Sequence, residues 1–240
     1  MRSKMKNSEV QKIWDWQWQS FAEKIYLKIN EGVIREILGT MDGDVEGKKI
    51  LEVGAGSGSD VIDLTKRGAQ CFALDFSKES INICQKLAKQ EKVGIKAILA
   101  DCRQIPIESN YFDLVFSVGL VEHFKDPVPI LREQLRVLKK GGFLIIDVPQ
   151  KYNFYTIVKH LRMKFDKHPF GWETEYSMRD FKTIARTLKL KVIRFYGRDT
   201  ALKLRLPLVM RQPWLKAFSI VERSKIAPFI CLNIGVIYQK

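Results

Sequence analysis

The fold of this chain is decided by the stretch Ile50-Leu51-Glu52-Val53-Gly54-Ala55-Gly56-Ser57-Gly58-Ser59-Asp60. Its apolar start predicts a buried strand, which breaks into a glycine-rich turn and continues as a helix. Gly54, Gly56 and Gly58 let the backbone turn tightly and leave no Cβ between it and a ligand, and the first helical turn offers unpaired N–H groups. The stretch therefore predicts a cradle for a nucleotide-like cofactor.

The spacing of these glycines argues against a dinucleotide. A dinucleotide-binding turn carries glycines in the order G-x-G-x-x-G, and the sixth position of this turn is Ser59. The glycines follow the order G-x-G-x-G instead, behind the acidic Glu52. An NAD-dependent oxidoreductase is therefore the least favoured of the functions considered.

Length and composition favour one α/β domain over residues 1–240, because 240 residues with 46% hydrophobic content can bury a full core. The charged N-terminus leads into no apolar signal-like segment, and the longest apolar run, Phe229–Tyr238, is too short to span a bilayer. We therefore expect a soluble cytoplasmic protein. The four cysteines form no C-x-x-C pair and only three histidines are present, so neither a disulfide framework nor a metal site is predicted.

The net charge of +14 is concentrated in the C-terminal part of the chain. Residues 1–150 hold 22 Lys and Arg against 21 Asp and Glu, whereas residues 151–240 hold 19 against 6. One interpretation is a solvated basic face. The other is an anionic partner, such as a phospholipid surface, an acidic substrate or RNA.

Strands and helices alternate after the glycine turn, which predicts βαβ units and a mainly parallel sheet. The later strands are predicted at Gln70–Asp75, Ile95–Ala100, Phe112–Ser117, Phe143–Val148, Lys191–Tyr196 and Phe229–Tyr238. The helices are predicted at Val61–Arg67, Ser77–Lys92, Pro127–Leu138 and Ser177–Leu188. Residues 8–39 are also predicted to be helical, with Ser8 and Gly39 as candidate caps, and residues 1–40 are expected to form a helical lid.

Three tryptophans in the N-terminal region, Trp14, Trp16 and Trp18, are spaced by two residues. Helical periodicity cannot place all three on one face, so at least one is expected to be exposed, in a loop or over a pocket. Two roles are open to them. They either pack against the rest of the protein, or one of them closes over a ligand.

Acidic residues end the first three predicted strands, at Glu52, Asp75 and Asp101. The carboxyl ends of parallel strands meet at one edge of a sheet, where ligands bind. A carboxylate with two acceptor oxygens suits the two hydroxyls of a ribose, and Asp75 is the candidate for that role. Phe76 is expected to pack on an adenine face, with Asp101 and the Cys102 backbone N–H at the polar edge of the ring.

Taken in order, these motifs resemble those of the class I S-adenosylmethionine-dependent methyltransferases, especially the small-molecule branch that includes quinone-biosynthesis-type enzymes. The resembling segments are the glycine turn, Asp75, Ala100–Pro106, Asn110–Ser117, Val121–Phe124 and Leu138–Leu144. The resemblance is strong over residues 45–150, the expected cofactor-binding core, and weak over residues 173–198.

The resemblance implies both a fold and a cofactor. The implied fold is α/β, a Rossmann-like mixed sheet of seven strands in the order 3-2-1-4-5-7-6, with the last strand antiparallel and helices on both faces. The implied cofactor is S-adenosyl-L-methionine, with S-adenosyl-L-homocysteine as product. Glu52 would face the methionine amino group, and the Ser117 backbone would line the methyl-donor pocket. The full set of predicted cofactor-binding residues is Glu52, Gly54, Ala55, Gly56, Gly58, Asp75, Phe76, Asp101, Cys102 and Ser117.

Catalysis needs few side chains, because a sulfonium methyl is already electrophilic and in-line placement of the acceptor supplies much of the rate. His123, just beyond the fourth strand, is the candidate general base, with a structural role in its loop as the alternative. Further candidates near the acceptor are Tyr152, His160, His168, Trp172, Glu173 and Tyr176.

Two segments, residues 150–176 and 200–228, are expected to be substrate-side inserts. In the second, Leu202–Leu208 alternates apolar and basic residues, and Pro213–Lys225 predicts an amphipathic helix with Trp214, Ala217, Phe218 and Val221 on its apolar side. This segment suits either packing over the sheet or peripheral adsorption to an anionic membrane.

The sequence therefore predicts methyl transfer from S-adenosylmethionine to a small-molecule or lipid-like acceptor. RNA methylation is a second hypothesis, based on the basic C-terminal part, although the fourth strand leads into Ser117-Val118-Gly119-Leu120 and not into the Asn/Asp-Pro-Pro-aromatic run of enzymes that methylate exocyclic base amines. A third hypothesis is a non-catalytic protein that binds S-adenosylmethionine.

Overall fold

The computed structural model describes residues 7–21, 27–153, 156, 173–200 and 220–240. The strands of the described chain are β1 (Lys49–Val53), β2 (Gln70–Asp75), β3 (Lys96–Leu99), β4 (Phe112–Val118), β5 (Leu138–Pro149), β6 (Lys191–Thr200) and β7 (Cys231–Gln239). The helices are α1 (Asn7–Phe21), α2 (Glu31–Thr40), α3 (Ser59–Lys66), α4 (Lys78–Gln90), α5 (Val128–Val137), α6 (Met178–Leu188) and α7 (Ala227–Ile230), with a 3₁₀ turn at Val121–His123.

These strands form one seven-stranded sheet in the order β3-β2-β1-β4-β5-β7-β6. β1 to β5 pair in parallel, whereas β7 runs antiparallel to both β5 and β6. The predicted strand order and the antiparallel last strand are confirmed.

The core fills both faces of the sheet. Leu51 and Val115 belong to the cluster that packs against α5 and α6, while Ile50 and Leu114 belong to the cluster beneath α2 and α3. Neighbouring residues of one strand thus enter different clusters, as expected for parallel strands covered by helices on both sides. Most predicted element boundaries agree with the structure to within a few residues.

Two helices begin at their predicted serines, because each serine side chain caps the first turn of the helix. The Ser77 Oγ accepts a hydrogen bond from Ser80 N at the start of α4. Ser177 and Asp180 form a reciprocal capping box at the start of α6.

The single helix predicted over residues 8–39 is wrong, because the described chain contains two helices there, α1 and α2. Ser8 lies inside α1, and α2 continues past Gly39 to Thr40. The connection is bound to the first turn of α3: Lys28 N donates to the Ser59 Oγ at 3.2 Å, and Asn30 N and Nδ2 donate to the Asp60 carboxylate at 2.7 Å. These bonds take the place of helix hydrogen bonds, so the chain leaves the helix and restarts at Glu31.

The last strand begins at Cys231 and not at the predicted Phe229. Pro228 has no N–H to give to a sheet, and the backbone of Ala227 packs so closely on Gly197 that a Cβ added to that glycine would lie 2.3 Å from the Ala227 oxygen. Phe229 and Ile230 therefore complete α7. The first insert lies mostly outside the described residues, and so does the predicted amphipathic helix, of which only residues 220–225 are described.

Candidate active site

A cavity of about 370 Å³ opens beyond the carboxyl ends of β1 to β4. Its lining comes from α1, from the turns that follow these four strands and from the 3₁₀ turn after β4. The lining residues are Trp14, Trp18, Gly54, Leu74, Asp75, Phe76, Ala100, Asp101, Cys102, Arg103, Val118, Gly119, Leu120, His123 and Phe124. The predicted meeting of three strand ends is thus present, and most of the lining is apolar.

Asp75 lies at the end of β2, on the wall of this cavity. Its Oδ1 accepts from Ser77 N and its Oδ2 from Gly56 N, both at 2.9 Å. Burial raises the pKa of the carboxyl, and the backbone hydrogen bonds from Ser77 and Gly56 oppose that rise. Because a carboxylate has about four lone-pair sites, the geometry suits Asp75 as an acceptor for hydroxyl groups of a ligand in the cavity.

Glu52 is buried on β1, two residues before the first glycine of the turn, and does not itself line the cavity. Burial and the nearby Asp60 carboxylate raise its pKa well above 4.5. The buried Glu52 Oε2 has no hydrogen-bond partner among the described residues. An unpaired buried carboxylate oxygen next to a ligand cavity fits a cationic amino group.

The first two glycines of the turn lie close to side chains that line the cavity. Gly54 and Gly56 have φ values of +74° and +54°. A Cβ would lie 3.0 Å from Leu120 at Gly54 and 2.5 Å from the indole of Trp18 at Gly56. The missing Cβ atoms therefore leave room for the Leu120 and Trp18 side chains, and the role of these two glycines in binding a cofactor stays a prediction.

The adenine-side candidates also line the cavity. Phe76, Asp101 and Cys102 are all present there, together with Arg103, which the sequence analysis did not select. Arg103 Nε lies 2.9 Å from Asp101 Oδ1, and this hydrogen bond holds the pKa of Asp101 below its usual value. The sequence could have pointed to Arg103, because this residue follows the strand-end acid Asp101 by two positions.

The sequence matches a family described as methyltransferase domain over residues 51–146. It is also 30% identical over 125 residues to the ubiquinone biosynthesis O-methyltransferase of Acinetobacter baylyi, a match that covers 48% of this chain and 51% of that protein. Residues 51–146 thus match a methyltransferase domain, as the resemblance to the class I S-adenosylmethionine-dependent enzymes predicted. The prediction of an S-adenosylmethionine-dependent methyltransferase is confirmed at the level of this domain.

Two further similarities bear on this methyltransferase domain. The norajmaline N-methyltransferase of Rauvolfia serpentina is 30% identical over 110 residues, which cover 44% of this chain and 37% of that protein. A solved structure of a possible histamine N-methyltransferase from Thermotoga maritima has a TM-score of 0.67 at 16% identity, over 96% of this chain and 99% of that one, and shows the shared fold. The chain matches about half the length, or less, of these two curated relatives.

The N-terminal helix of the methyltransferase covers the cavity. Trp14 and Trp18, four residues apart, both line it, whereas Trp16 is 67% exposed. The prediction that the three tryptophans do not share a face is confirmed. Helical spacing alone could have selected the Trp14 and Trp18 pair, because residues i and i+4 lie on one side of a helix.

Polar contacts fix α1 to the start of α4. The Ser77 hydroxyl donates to Asp15 Oδ1 at 2.5 Å, and Glu79 N donates to the same oxygen at 3.4 Å. Gln11 Nε2 donates to the Phe76 carbonyl at 2.6 Å. Asp15 and Gln11 carried no signal in the sequence, because their partners are more than 60 residues away.

The candidate base His123 ends the 3₁₀ turn and lies in the cavity wall. Its ring contacts Trp14 edge-on, with centroids 5.1 Å apart and planes at 76°. A proton acceptor at this position would lie in the same cavity as Asp75. Its catalytic role stays a prediction.

Five predicted cofactor residues lie outside the cavity lining, namely Glu52, Ala55, Gly56, Gly58 and Ser117. Ala55 and Ser117 are buried, and the three residues after Ser117 line the cavity in its place. A Cβ at Gly58 would lie 2.2 Å from Cys84 Sγ, so Gly58 allows α3 and α4 to pack closely. Its φ of +70° also favours glycine at this position.

The described acceptor-side candidates do not line the cavity. Tyr152 is 71% exposed, Glu173 is half-buried, and Tyr176 is buried and stacked on Phe181. Burial raises the pKa of the Tyr176 hydroxyl, which disfavours it as a base. His160, His168 and Trp172 lie outside the described residues. No cluster of three or more metal-ligating side chains occurs within the described ranges.

Proposed function

We propose that this chain transfers the methyl group of S-adenosylmethionine to a small-molecule or lipid-like acceptor and releases S-adenosylhomocysteine. The observation that carries the proposal is Asp75, a buried carboxylate whose two oxygens are fixed by backbone N–H groups and still face a cavity of cofactor size. Bound cofactor would supply an electrophilic methyl group on its sulfonium.

The chain's own residues would bind and orient. Asp75 would accept hydrogen bonds from the ribose hydroxyls, and the unpaired Glu52 oxygen would accept one from the methionine amino group. Gly54 and Gly56 would admit the cofactor close to the backbone, and Trp14 and Trp18 would exclude water above it. His123 would take a proton from a phenol-like acceptor.

A small acceptor is supported by the curated relatives, whose names refer to ubiquinone biosynthesis and to norajmaline. RNA methylation remains the second candidate because of the excess of 13 positive charges in residues 151–240. Apolar side chains exposed near the C-terminus favour a membrane surface over RNA as the anionic partner, since they offer no hydrogen bonds to bases. A non-catalytic binding protein is the third candidate.

Calorimetric titration with S-adenosylmethionine and S-adenosylhomocysteine tests the proposal. Asp75→Ala is expected to weaken binding about hundredfold, since two hydrogen bonds to a carboxylate contribute about 3 kcal/mol or more. Asp44→Ala removes an exposed carboxylate far from the cavity and serves as the control.

His123→Ala is expected to bind the cofactor within about threefold of the unmodified chain, but to transfer methyl groups at least about hundredfold more slowly. Equal loss of cofactor binding in both variants would contradict these roles, and absence of binding to the unmodified chain would overturn the proposal. Transfer of labelled methyl groups to metabolite extracts, and to RNA in parallel, separates the small-molecule enzyme from the RNA enzyme and from the non-catalytic protein.

A further inference from the structure

Large apolar side chains are exposed in the segment that precedes β7. Ile220 is 70% exposed, Ile226 58%, Phe229 56% and Ile230 45%. Ile226 caps α7, and Phe229 and Ile230 follow it at i+3 and i+4, so the three side chains are placed on one side of this single helical turn. Burial of these side chains by a partner would stabilise a contact.

In the same segment, the basic side chains are exposed and the acidic side chain is buried. Arg223 and Lys225 are exposed, whereas Glu222 is only 8% exposed. Among residues 220–230, the exposed side chains are therefore all apolar or basic; they are Ile220, Arg223, Lys225, Ile226, Phe229 and Ile230, and we call them the 220–230 face. The adjoining residues 201–219 contain four basic residues and no acidic one.

This face lies at the same edge of the sheet as the cavity. Ala227 packs on Gly197 near the end of β6, and the Pro228 carbonyl accepts from Gln150 Nε2, at 3.2 Å, just after β5. β6 is three strands away from β4, which at a strand spacing of about 4.8 Å corresponds to about 15 Å. A partner on this face would therefore lie beside the cavity.

We propose that the 220–230 face docks on the surface of an anionic phospholipid bilayer. Phe229 and the isoleucines would enter the interface between headgroups and acyl chains, while Arg223 and Lys225 would pair with lipid phosphates. A second copy of this chain fits less well because two basic faces repel each other, and RNA leaves the isoleucines exposed. No described helix is long and apolar enough to cross a bilayer, so the contact is one of surface adsorption.

Cosedimentation with vesicles tests the proposal without any cofactor or acceptor, and so independently of the proposed function. The full chain is expected to bind vesicles of phosphatidylcholine mixed with phosphatidylglycerol, and to bind pure phosphatidylcholine at least about tenfold more weakly. Added salt is expected to weaken binding to the mixed vesicles, because it screens the basic residues.

Two double variants address the two parts of the face. Arg223→Gln with Lys225→Gln is expected to weaken binding to the mixed vesicles about thirtyfold, at about 1 kcal/mol for each basic residue at the membrane surface. Phe229→Ser with Ile230→Ser is expected to weaken it at least about tenfold. The matched controls are Lys86→Gln with Lys89→Gln on the exposed side of α4, and Ile193→Ser at the opposite end of β6.

Equal vesicle binding by the face variants and the controls would overturn the proposal, as would equal binding to both kinds of vesicle. A concentration-dependent dimer in light scattering that the Phe229 and Ile230 variant abolishes would assign the face to a second copy instead. Binding of S-adenosylmethionine by every variant shows that it is folded, and loss of vesicle binding with cofactor binding intact is the supporting result.

Discussion

Glu52 is the residue whose burial most clearly lowers the stability of the ligand-free folded protein. Its carboxyl is 4% exposed and has one oxygen without a partner among the described residues. The nearby carboxylates of Asp60 and Asp75 also raise its pKa, after burial itself. The fold thus disfavours the charged form of this carboxyl, as expected for a group that would be paired by a cationic ligand.

Glu52→Gln is expected to raise the melting temperature of the ligand-free protein at neutral pH. Because the folded pKa lies above 4.5, the contribution of Glu52 to stability is fully present below pH 4.5 and is lost as the pH rises through the raised value. The glutamine variant lacks this titration, so the difference in melting temperature should grow between acidic and neutral pH. Thermal melts across this range measure it.

The same substitution should weaken S-adenosylmethionine binding about thirtyfold, through loss of a charge-assisted hydrogen bond of about 2 kcal/mol. Glu108→Gln, at an exposed carboxyl, is the control for both measurements. A difference in melting temperature that stays constant with pH would show that Glu52 is not the titrating group.

At the scale of the element, α1 serves as the cover of the site. Trp18 packs on Gly56, and Asp15 accepts hydrogen bonds from the first residues around the start of α4. A carboxylate at a helix N-terminus is favoured by the helix dipole as well as by the hydrogen bonds. Asp15 therefore holds α1 in place, while Trp18 contacts the backbone that would receive the cofactor.

Asp15→Ala is expected to speed the release of S-adenosylmethionine about tenfold, because about 1 to 2 kcal/mol of hydrogen bonding and dipole interaction would be lost from the closed position of α1. Stopped-flow fluorescence of the tryptophans that line the cavity measures the release rate. Gln19→Ala, an exposed change on the same helix, should release the cofactor at the unmodified rate. Equal release rates for both variants would show that α1 does not retain the ligand.

At the scale of the whole molecule, a buried polar network joins the two halves of the sheet to its helices. Arg198 on β6 bonds to Asp147 on β5 at 2.7 Å and to Asp199 at 2.5 Å. It also donates to Asn30 Oδ1 at 3.3 Å, and Asn30 donates in turn to Asp60 at the start of α3. Asp147 is 1% exposed, so removal of its cationic partner would leave a buried charge unpaired.

Arg198→Met is expected to destabilise the protein by about 3 to 5 kcal/mol, the usual cost of breaking a buried ion pair. For a chain of this size, that corresponds to a fall of about 10 °C in melting temperature. Arg67→Met removes the same group from a partly exposed pair with Asp63 on α3, and should cost less than about 1 kcal/mol. Similar losses in the two variants, measured by denaturant and thermal unfolding, would contradict a special role for the buried network.

The sequence by itself determined the features that depend on neighbouring residues. Alternating strand and helix patterns predicted the sheet, and the strand-end acid Asp75 and Gly54 were placed correctly at the cavity. The helix starts at Ser77 and Ser177 were also correct, since each serine caps its helix through a partner three residues away. Such signals are local, because strand period, helix period and turn chemistry act over a few residues.

Only the tertiary structure decided what depends on partners far along the chain. The break between α1 and α2 follows from bonds between Asn30 and Asp60, and the role of Gly58 follows from its contact with Cys84. The exposure of Phe229, predicted as part of a strand, follows from the packing of Ala227 on Gly197. The physical reason is common to all three: packing and hydrogen bonding across 26 to 30 residues override local propensity, and no short stretch of sequence records which partner will be there.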